Sequence, residues 1–212
     1  MKIMEQSVEI LTPINQDEIL KHLEQCARVC YKSEHKITDS SAPDFVKKLL
    51  QSGHEAAIEH VSITVKFITD RAIANQITRH RIASFCQEST RFCNYSQEQF
   101  DNEITVISPC SIHQPEHEFW KQACETAEYA YLMLLQSGYS PQQARGVLPL
   151  SLKTELVMTT NLREWRYFLK LRTAQNVHPQ MLELALMLLA QFQEKLPVLF
   201  DDIAFCQSCQ VF

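Results

Sequence analysis

The order of apolar and polar residues along this chain predicts strands and helices in alternation. From His60 to Ile68 the two kinds of side chain alternate, which is typical of a strand with one buried side. The apolar face of that run consists of Val61, Ile63, Val65 and Phe67. We predict strands over residues 2–12, 60–68 and 151–160.

Helix patterns occupy much of the remaining sequence. Asn15 and Asn161 are each followed by a glutamate three residues later, as in a helix-capping box, and Asp70 precedes a third helix. The helix that begins at Pro179 is apolar nearly all round, so we expect it in a deep core or a subunit interface. We predict helices over about residues 16–31, 43–51, 71–78, 118–136, 141–148, 162–172 and 180–196, and an irregular loop over residues 101–116.

Length and composition are those of an ordinary globular protein. The chain has 212 residues, 45% of them apolar and 21% charged, which suits one domain or two intimately packed lobes. Its longest strongly apolar run, residues 184–190, is too short to cross a bilayer. Since the first residues lack the features of a signal peptide, we expect a cytoplasmic protein with no membrane partner.

The cysteines and histidines do not form a recognisable metal pattern. We expect the eight cysteines to be thiols rather than a disulfide framework. Cys206 and Cys209 have redox or metal spacing, but no second pair lies at zinc-ribbon distance. His113 and His117 are four residues apart, yet Pro115 between them argues against a helical metal pair. We therefore predict no metal site.

Positive charge is concentrated in residues 79–91, which we call the cationic segment. It contains Arg79, His80, Arg81 and Arg91, and neighbouring positive charges repel one another. Because the net charge is −5, an anionic ligand gripped by arginine forks is the natural compensation. The chain has only three glycines and no glycine-rich phosphate loop, so side chains must hold the phosphates of any bound nucleotide.

The sequence from Gln76 to Arg91 resembles the signature of the flavin-dependent thymidylate synthases, in which Arg-His-Arg, seven further residues and then Ser follow one another. Other blocks of that family are matched in the same order, and together they span most of the chain. These blocks are residues 27–33, 52–60, 144–149, 161–163, 168–172 and 178–180.

The resemblance implies a fold and a reaction. The fold is α/β (α+β), with a mixed sheet flanked by helices in a single compact domain over residues 1–212. The assembly is a homotetramer with active sites shared between subunits. Members of the family methylate dUMP to dTMP, with 5,10-methylenetetrahydrofolate as carbon donor and NADPH as reductant through FAD.

The resemblance also implies roles for individual residues. Arg172 would lie over the pyrimidine edge, where a fixed cation stabilises the ionised, activated ring, and Arg172 and Ser89 are the catalytic candidates. The residues implied for the nucleotide are Gln76, Arg79, Gln87, Glu88, Ser89, Thr90, Arg91, Arg145 and Arg172. Those implied for the flavin are His54, Arg79, His80, Arg81, Ile82, Asn161, Arg163 and His178.

Some positions depart from the family pattern. Cys86-Gln87 stands where Asn-Glu is frequent, so a role that needs a carboxylate is lost or passes to Glu88. Ala56 and Tyr167 stand where a hydroxyl residue and an asparagine often contact the flavin. These departures bear on affinity and fine specificity more than on the reaction class.

Alternative functions remain open at this stage. The same flavin fold acting on another pyrimidine nucleotide is one, and a non-catalytic nucleic-acid-binding module is a second, although a pI of about 5.9 disfavours it. A thiolate mechanism, as in the unrelated cysteine-dependent thymidylate synthases, would use Cys110 or Cys86. In a purely structural alternative, the arginines of the cationic segment form surface ion pairs with Glu88 and others, each worth only about 0–1 kcal/mol.

Overall fold

The computed structural model describes residues 1–204, so Cys206 and Cys209 lie outside the described residues. The strands are β1 (Lys2–Met4), β2 (Ser7–Ile10), β3 (Ser62–Asp70), β4 (Ser84–Gln87), β5 (Thr105–Ile107) and β6 (Lys153–Asn161). The helices are α1 (Gln16–Arg28), α2 (Ala42–Gln51), α3 (Arg71–Ile77), α4 (Glu116–Gln136), α5 (Pro141–Ala144), α6 (Leu162–Arg172), α7 (Pro179–Lys195) and α8 (Pro197–Phe200).

The strands form two sheets. β1 and β5 pair in parallel, with Lys2 opposite Thr105, and the larger sheet has the order β2-β3-β6-β4. The chain divides into two compact units, and all four strands of the larger sheet contribute residues to both. The first unit comprises residues 1–7, 67–79 and 85–157, and the second comprises residues 8–66, 80–84 and 158–204.

Side-chain caps begin three of the helices where the sequence predicts them. Asn15 accepts a hydrogen bond from the Glu18 amide at 3.4 Å, and Asn161 accepts one from the Glu164 amide at 2.9 Å. Asp70 caps α3 by accepting from the Ile73 amide at 2.7 Å. These bonds satisfy amides that the first turn of a helix leaves unpaired, which confirms the predicted helix starts.

Each unit has its own apolar core. In the first unit Tyr95, Val106 and Tyr131 are buried together with Ile104, Cys124, Ala144 and Leu152. In the second unit the alternating side chains of β3 bury Ile63 and Val65, while α7 buries one face. The buried residues of α7 are Gln180, Met181, Leu184, Ala185, Leu188, Leu189 and Phe192. Within the single chain, α7 therefore packs into a core, which is one of the two placements expected from its sequence.

Several predicted boundaries were wrong. The expected N-terminal strand is interrupted at residues 5–6, so that β1 and β2 join different sheets. The expected loop 101–116 contains β5, and β4 was not predicted. These strands have three or four residues and form because neighbouring strands pair with them, which sequence periodicity cannot detect. Strands and helices nevertheless alternate along the chain, which confirms the α/β class, whereas a single domain over residues 1–212 stays a prediction.

No helix within residues 1–204 is both long and apolar enough to span a membrane. In the same part of the chain, no group of three or more His, Cys, Asp or Glu side chains is arranged to hold a metal ion.

Candidate active site

In the second unit, one face of α6 surrounds His80. Glu164, Phe168 and Arg172 recur at four-residue spacing, which places them on the same side of a helix. Arg172 Nε donates a hydrogen bond to His80 Nε2 at 3.0 Å, and the Phe168 ring packs edge-on with its centroid 4.7 Å from that of the imidazole. On the other side of the ring, His80 Nδ1 lies 3.5 Å from Glu164 Oε1. His80 is thereby buried, with 5% of its surface exposed.

This environment keeps His80 neutral. Burial, assisted by the charge of Arg172, lowers the pKa of His80 to about 4. Because Nε2 accepts from Arg172, the single proton of the neutral ring belongs on Nδ1, which faces Glu164. Burial raises the pKa of Glu164 and lowers the pKa of Arg172. The result is a fixed imidazole whose acceptor nitrogen orients the guanidinium of Arg172.

A groove in the second unit brings together several predicted flavin residues. Arg81 and Ile82 line it from one segment, and Asn161 and Arg163 line it from the start of α6. The groove has a volume of about 530 Å³, and its remaining lining residues are Glu55, Glu59, Glu164, Tyr167 and Lys170. The backbone at Ile82 is held by Thr160, whose hydroxyl donates to the Ile82 carbonyl at 2.6 Å.

The other predicted flavin residues of this unit do not all lie in that groove. His54 and Ala56 line a second groove of about 450 Å³, to which Arg163 also contributes. His178 caps α7, because its Nδ1 accepts from the Gln180 amide at 3.3 Å, and it lines neither groove. The structure thus gathers Arg81, Ile82, Asn161 and Arg163 in one groove and places His178 at a helix start.

The first groove offers both cationic donors and apolar surface, beside three carboxylates. Arg81, Arg163 and Lys170 offer cationic donors of the kind that a pyrophosphate requires. Ile82 is 87% exposed, and the half-exposed Tyr167 adds an aromatic face, so apolar surface is available for a planar ring. Glu59 occupies Arg163 through a 2.5 Å ion pair between Oε1 and Nη1, which an incoming anion would replace.

In the first unit, the chain turns sharply directly after β4. The Ser89 carbonyl accepts hydrogen bonds from the Phe92 amide at 3.0 Å and the Cys93 amide at 2.9 Å. The Ser89 hydroxyl accepts from the Arg91 amide at 3.3 Å, and Arg145 Nη1 donates to the Thr90 hydroxyl at 3.4 Å. The turn therefore contains three of the predicted nucleotide residues, Ser89, Thr90 and Arg91. A fourth, Arg145, is hydrogen-bonded to it through Thr90.

Two further predicted nucleotide residues lie at the end of α3. The Arg79 amide donates to the Gln76 carbonyl at 3.4 Å, so Gln76 lies in the last turn of α3 and Arg79 in the turn that directly follows it. The Arg79 side chain is exposed and Gln76 is half-buried.

Glu88 has unexpected partners inside the first unit. Its carboxylate accepts from the Tyr95 hydroxyl at 2.7 Å, from Lys153 Nζ at 3.0 Å and from the Glu155 amide at 3.3 Å. Burial raises the pKa of Tyr95, and the charge of Glu88 raises it further. Burial alone would lower the pKa of Lys153, but hydrogen bonds to Glu155 and Glu88 raise it overall. Glu88 is thus paired with a lysine rather than with an arginine of the cationic segment.

Sequence reasoning missed Lys153, Tyr95 and Glu164. A signal existed for two of them, since Lys153 shares a strand face with Glu155, and Glu164 is four residues from Phe168 and eight from Arg172. Gln87, beside Glu88, donates from Nε2 to the Thr154 hydroxyl at 3.3 Å, as an uncharged amide can. The two thiols considered earlier differ in setting: Cys86 is exposed on β4, and Cys110 is half-buried before α4.

The chain is similar to known proteins over most of its length. The family described as thymidylate synthase complementing protein matches residues 14–198. A flavin-dependent thymidylate synthase of Geobacter sulfurreducens is 30% identical over 184 residues, which cover 83% of this chain and 78% of that protein. One of Corynebacterium aurimucosum is also 30% identical, with coverage of 85% and 78%, respectively.

A solved structure shares the fold. The UMP/dUMP methylase PolB of Streptomyces cacaoi, crystallised with 5-Br dUMP, superposes with a TM-score of 0.75 at 22% identity. The alignment covers 95% of this chain and 96% of that one. With the family matched over nearly the whole described chain, and with the Arg-His-Arg segment and the α6 face in place, the chain belongs to the flavin-dependent thymidylate synthase family.

Proposed function

We propose that this protein converts dUMP to dTMP by reductive methylation, with 5,10-methylenetetrahydrofolate as carbon donor and NADPH as reductant through FAD. The observation that carries the proposal is the groove lined by Arg81, Ile82, Asn161 and Arg163. It also includes Glu164, which contacts the imidazole that orients Arg172. The groove proposed to bind the dinucleotide is thus linked to Arg172, the candidate catalytic residue, through the buried His80.

FAD would be held mainly by the second unit. Arg81 and Arg163 would bind the pyrophosphate, Asn161 would donate or accept at a polar edge, and Ile82 would contact the ring system. His54, Arg79, His80 and His178 complete the proposed set. FAD supplies the hydride-transfer chemistry when bound, and the protein contributes binding and orientation.

The nucleotide would be bound through charge and hydroxyl donors. Ser89 and Arg91 suit its phosphate, because hydroxyl, amide and guanidinium donors are close together in sequence. Gln76, Arg79, Gln87, Thr90 and Arg145 are the other proposed contacts. The Glu88 carboxylate is occupied by Tyr95, Lys153 and the Glu155 amide. Arg172 would stabilise negative charge that develops on the pyrimidine when its ring is activated, which raises the nucleophilicity of C5.

The proposal extends to the oligomeric state and the location of the protein. We propose a homotetramer with shared active sites, as the family resemblance implies. The cytoplasmic location expected from the sequence stays a prediction.

The reaction is tested by two measurements on purified protein. We expect a flavin spectrum between about 350 and 500 nm, and release of tritium from [5-³H]dUMP that requires both methylenetetrahydrofolate and NADPH. Protein that takes up no FAD, or that releases tritium without a folate, would contradict the proposal.

UMP is a second candidate substrate. Gln87 is uncharged where the family often has a carboxylate, and the solved structure that shares this fold is named a UMP/dUMP methylase. Turnover of dUMP, UMP and dCMP should be compared at equal concentration. A higher kcat/KM for UMP or dCMP than for dUMP would establish the alternative.

A further inference from the structure

The backbone and the side chain of Glu88 are both held by neighbours in the first unit. The Glu88 amide donates to the Glu155 carbonyl at 2.9 Å, and the Glu88 carbonyl accepts from Arg71 Nη1 at 3.0 Å. The carboxylate is bound by Tyr95, Lys153 and the Glu155 amide. We call these contacts the Glu88 clamp. Every hydrogen-bonding group of Glu88 is thus occupied by the protein itself.

The clamp directly precedes the turn that carries the proposed phosphate ligands. Ser89 follows Glu88 in sequence, and its carbonyl accepts from two amides of the turn, those of Phe92 and Cys93. A backbone fixed at Glu88 therefore fixes the start of this turn. A turn that is already ordered before the ligand binds loses less conformational entropy on binding.

The clamp also neutralises a charge that would otherwise oppose an anion. The Glu88 side chain is 10% exposed and that of Lys153 is 19% exposed, so their 3.0 Å ion pair is shielded from water. A carboxylate without this lysine, one residue from Ser89, would repel a phosphate group. Gln87 adds no charge, so the ionised side chains of segment 87–91 are Glu88, which is paired with Lys153, and Arg91.

We propose that Glu88 and Lys153 are positioning residues of the nucleotide site: they order the Ser89–Arg91 turn and mask the Glu88 charge, and the Glu88 carboxylate does not bind the nucleotide. This inference rests on the proposed function, because it takes a 5′-phosphate as the ligand of the turn. Glu88 would thus affect nucleotide binding through the backbone of the turn and through Lys153, and its side chain would not contact the nucleotide.

A charge-rescue experiment tests the masking. In Lys153→Met the carboxylates of Glu88 and Glu155 both lose the lysine that pairs with them, and we expect the Kd for dUMP to rise about tenfold, with a smaller rise at high salt. The double variant Glu88→Gln/Lys153→Met also removes the shielded charge of Glu88 and leaves unpaired only the Glu155 carboxylate, which is 45% exposed and screened by water, so its Kd should return to within about threefold of the parent value. Lys121→Met is the matched control, because Lys121 lies on α4 with only long ion pairs of 3.9 and 4.0 Å to Glu118 and Glu125.

Hydrogen exchange tests the ordering without any ligand. The amides of Arg91, Phe92 and Cys93 should exchange faster in Lys153→Met and in Tyr95→Phe than in the parent protein. In turnover, Lys153→Met should raise KM for dUMP and leave kcat unchanged, because it weakens ground-state and transition-state binding alike. A loss of kcat at unchanged KM would overturn the proposal.

The single variant Glu88→Gln separates positioning from direct contact and does not leave a carboxylate unpaired. It retains Lys153, which keeps its 2.8 Å contact with Glu155, so dUMP binding should change by less than about threefold. A loss of tenfold or more in Glu88→Gln, or a double variant no better than Lys153→Met, would overturn the inference. If the parent protein binds no dUMP, the proposed function fails, whereas the exchange rates still decide whether the clamp orders the turn.

Discussion

At the scale of single residues, His80 has the least ordinary environment. It is a polar side chain with 5% exposure, packed against Phe168 and bonded to Arg172. A second positive charge beside Arg172 is unfavourable, and the surrounding protein cannot hydrate it. The neutral ring is therefore part of the folded state, and protonation must oppose folding.

We expect stability to fall in acid because of this histidine. Its pKa is about 4 in the folded protein against an ordinary 6.5, so between these values the unfolded chain binds more protons. The free energy of unfolding should rise with pH through that window and level off above it, by at most about 3 kcal/mol. Urea unfolding at about pH 4.5 and about pH 7.5 should show a smaller difference for His80→Gln than for the parent.

The matched control for this measurement is His35→Gln, because His35 is exposed in a short 3-10 turn. It should keep the parent difference between the two pH values. If His80→Gln also keeps that difference, the neutral-imidazole interpretation is wrong.

The contact between Arg172 and His80 also predicts the result of a conservative change. Lysine lacks the planar fork and the Nε–H that donates to His80, so Arg172→Lys should lose the fixed orientation of its charge. We expect kcat for dUMP methylation to fall about 100-fold, with FAD still bound. Turnover and flavin absorbance are measured on the same sample, and a loss of both together would indicate damage to the fold instead.

At the scale of elements, side-chain caps determine where the helices that carry the site begin. Asn161 begins α6, which carries Glu164, Phe168 and Arg172, and Asp70 begins α3, which ends beside Arg79. A local hydrogen bond to the first turn therefore helps to place a functional residue at the other end of the helix. Loss of a cap costs stability in proportion to that one bond.

Asp70→Ala should destabilise the first unit measurably. Asp70 is 8% exposed and accepts from the Ile73 amide at 2.7 Å, so its removal should cost about 1 kcal/mol. For a chain of this length the melting temperature should fall by about 2–4 °C. Asp44→Ala is the control, because Asp44 is exposed in the first turn of α2 and should change the melting temperature by far less.

Short strands, unlike capped helices, were not predictable from the local sequence. β4 and β5 have four and three residues, and neither has a pattern long enough to be recognised. β5 exists because it pairs with β1, whose partner residues are about a hundred positions away in sequence. Long alternating runs such as β3 were predicted because burial on one face imposes a period of two over many residues.

At the scale of the whole molecule, the proposed assembly has a direct test. The chain mass is 24.6 kDa, and the proposed homotetramer should sediment as a species of four times that mass. A single species at the mass of one chain that is active with dUMP would contradict the shared-site proposal. Sedimentation with and without FAD also shows whether the flavin changes the assembly.

Local physical chemistry was enough to establish several features from the sequence alone. Helix starts at Asn15, Asp70 and Asn161, the buried face of β3, and the concentration of cations in residues 79–91 all depend on neighbours within a few positions. The ordered series of motif blocks also identified the family, which the comparisons then established.

Only the tertiary structure decided which charged groups meet. Glu88 and Lys153 are 65 positions apart, and His80 and Arg172 are 92 apart, so no local rule could pair them. Burial then set the protonation of His80, because the cost of charging a group depends on everything packed around it. Residue types and their spacing thus indicated the chemistry, whereas long-range packing determined which side chains remain available to perform it.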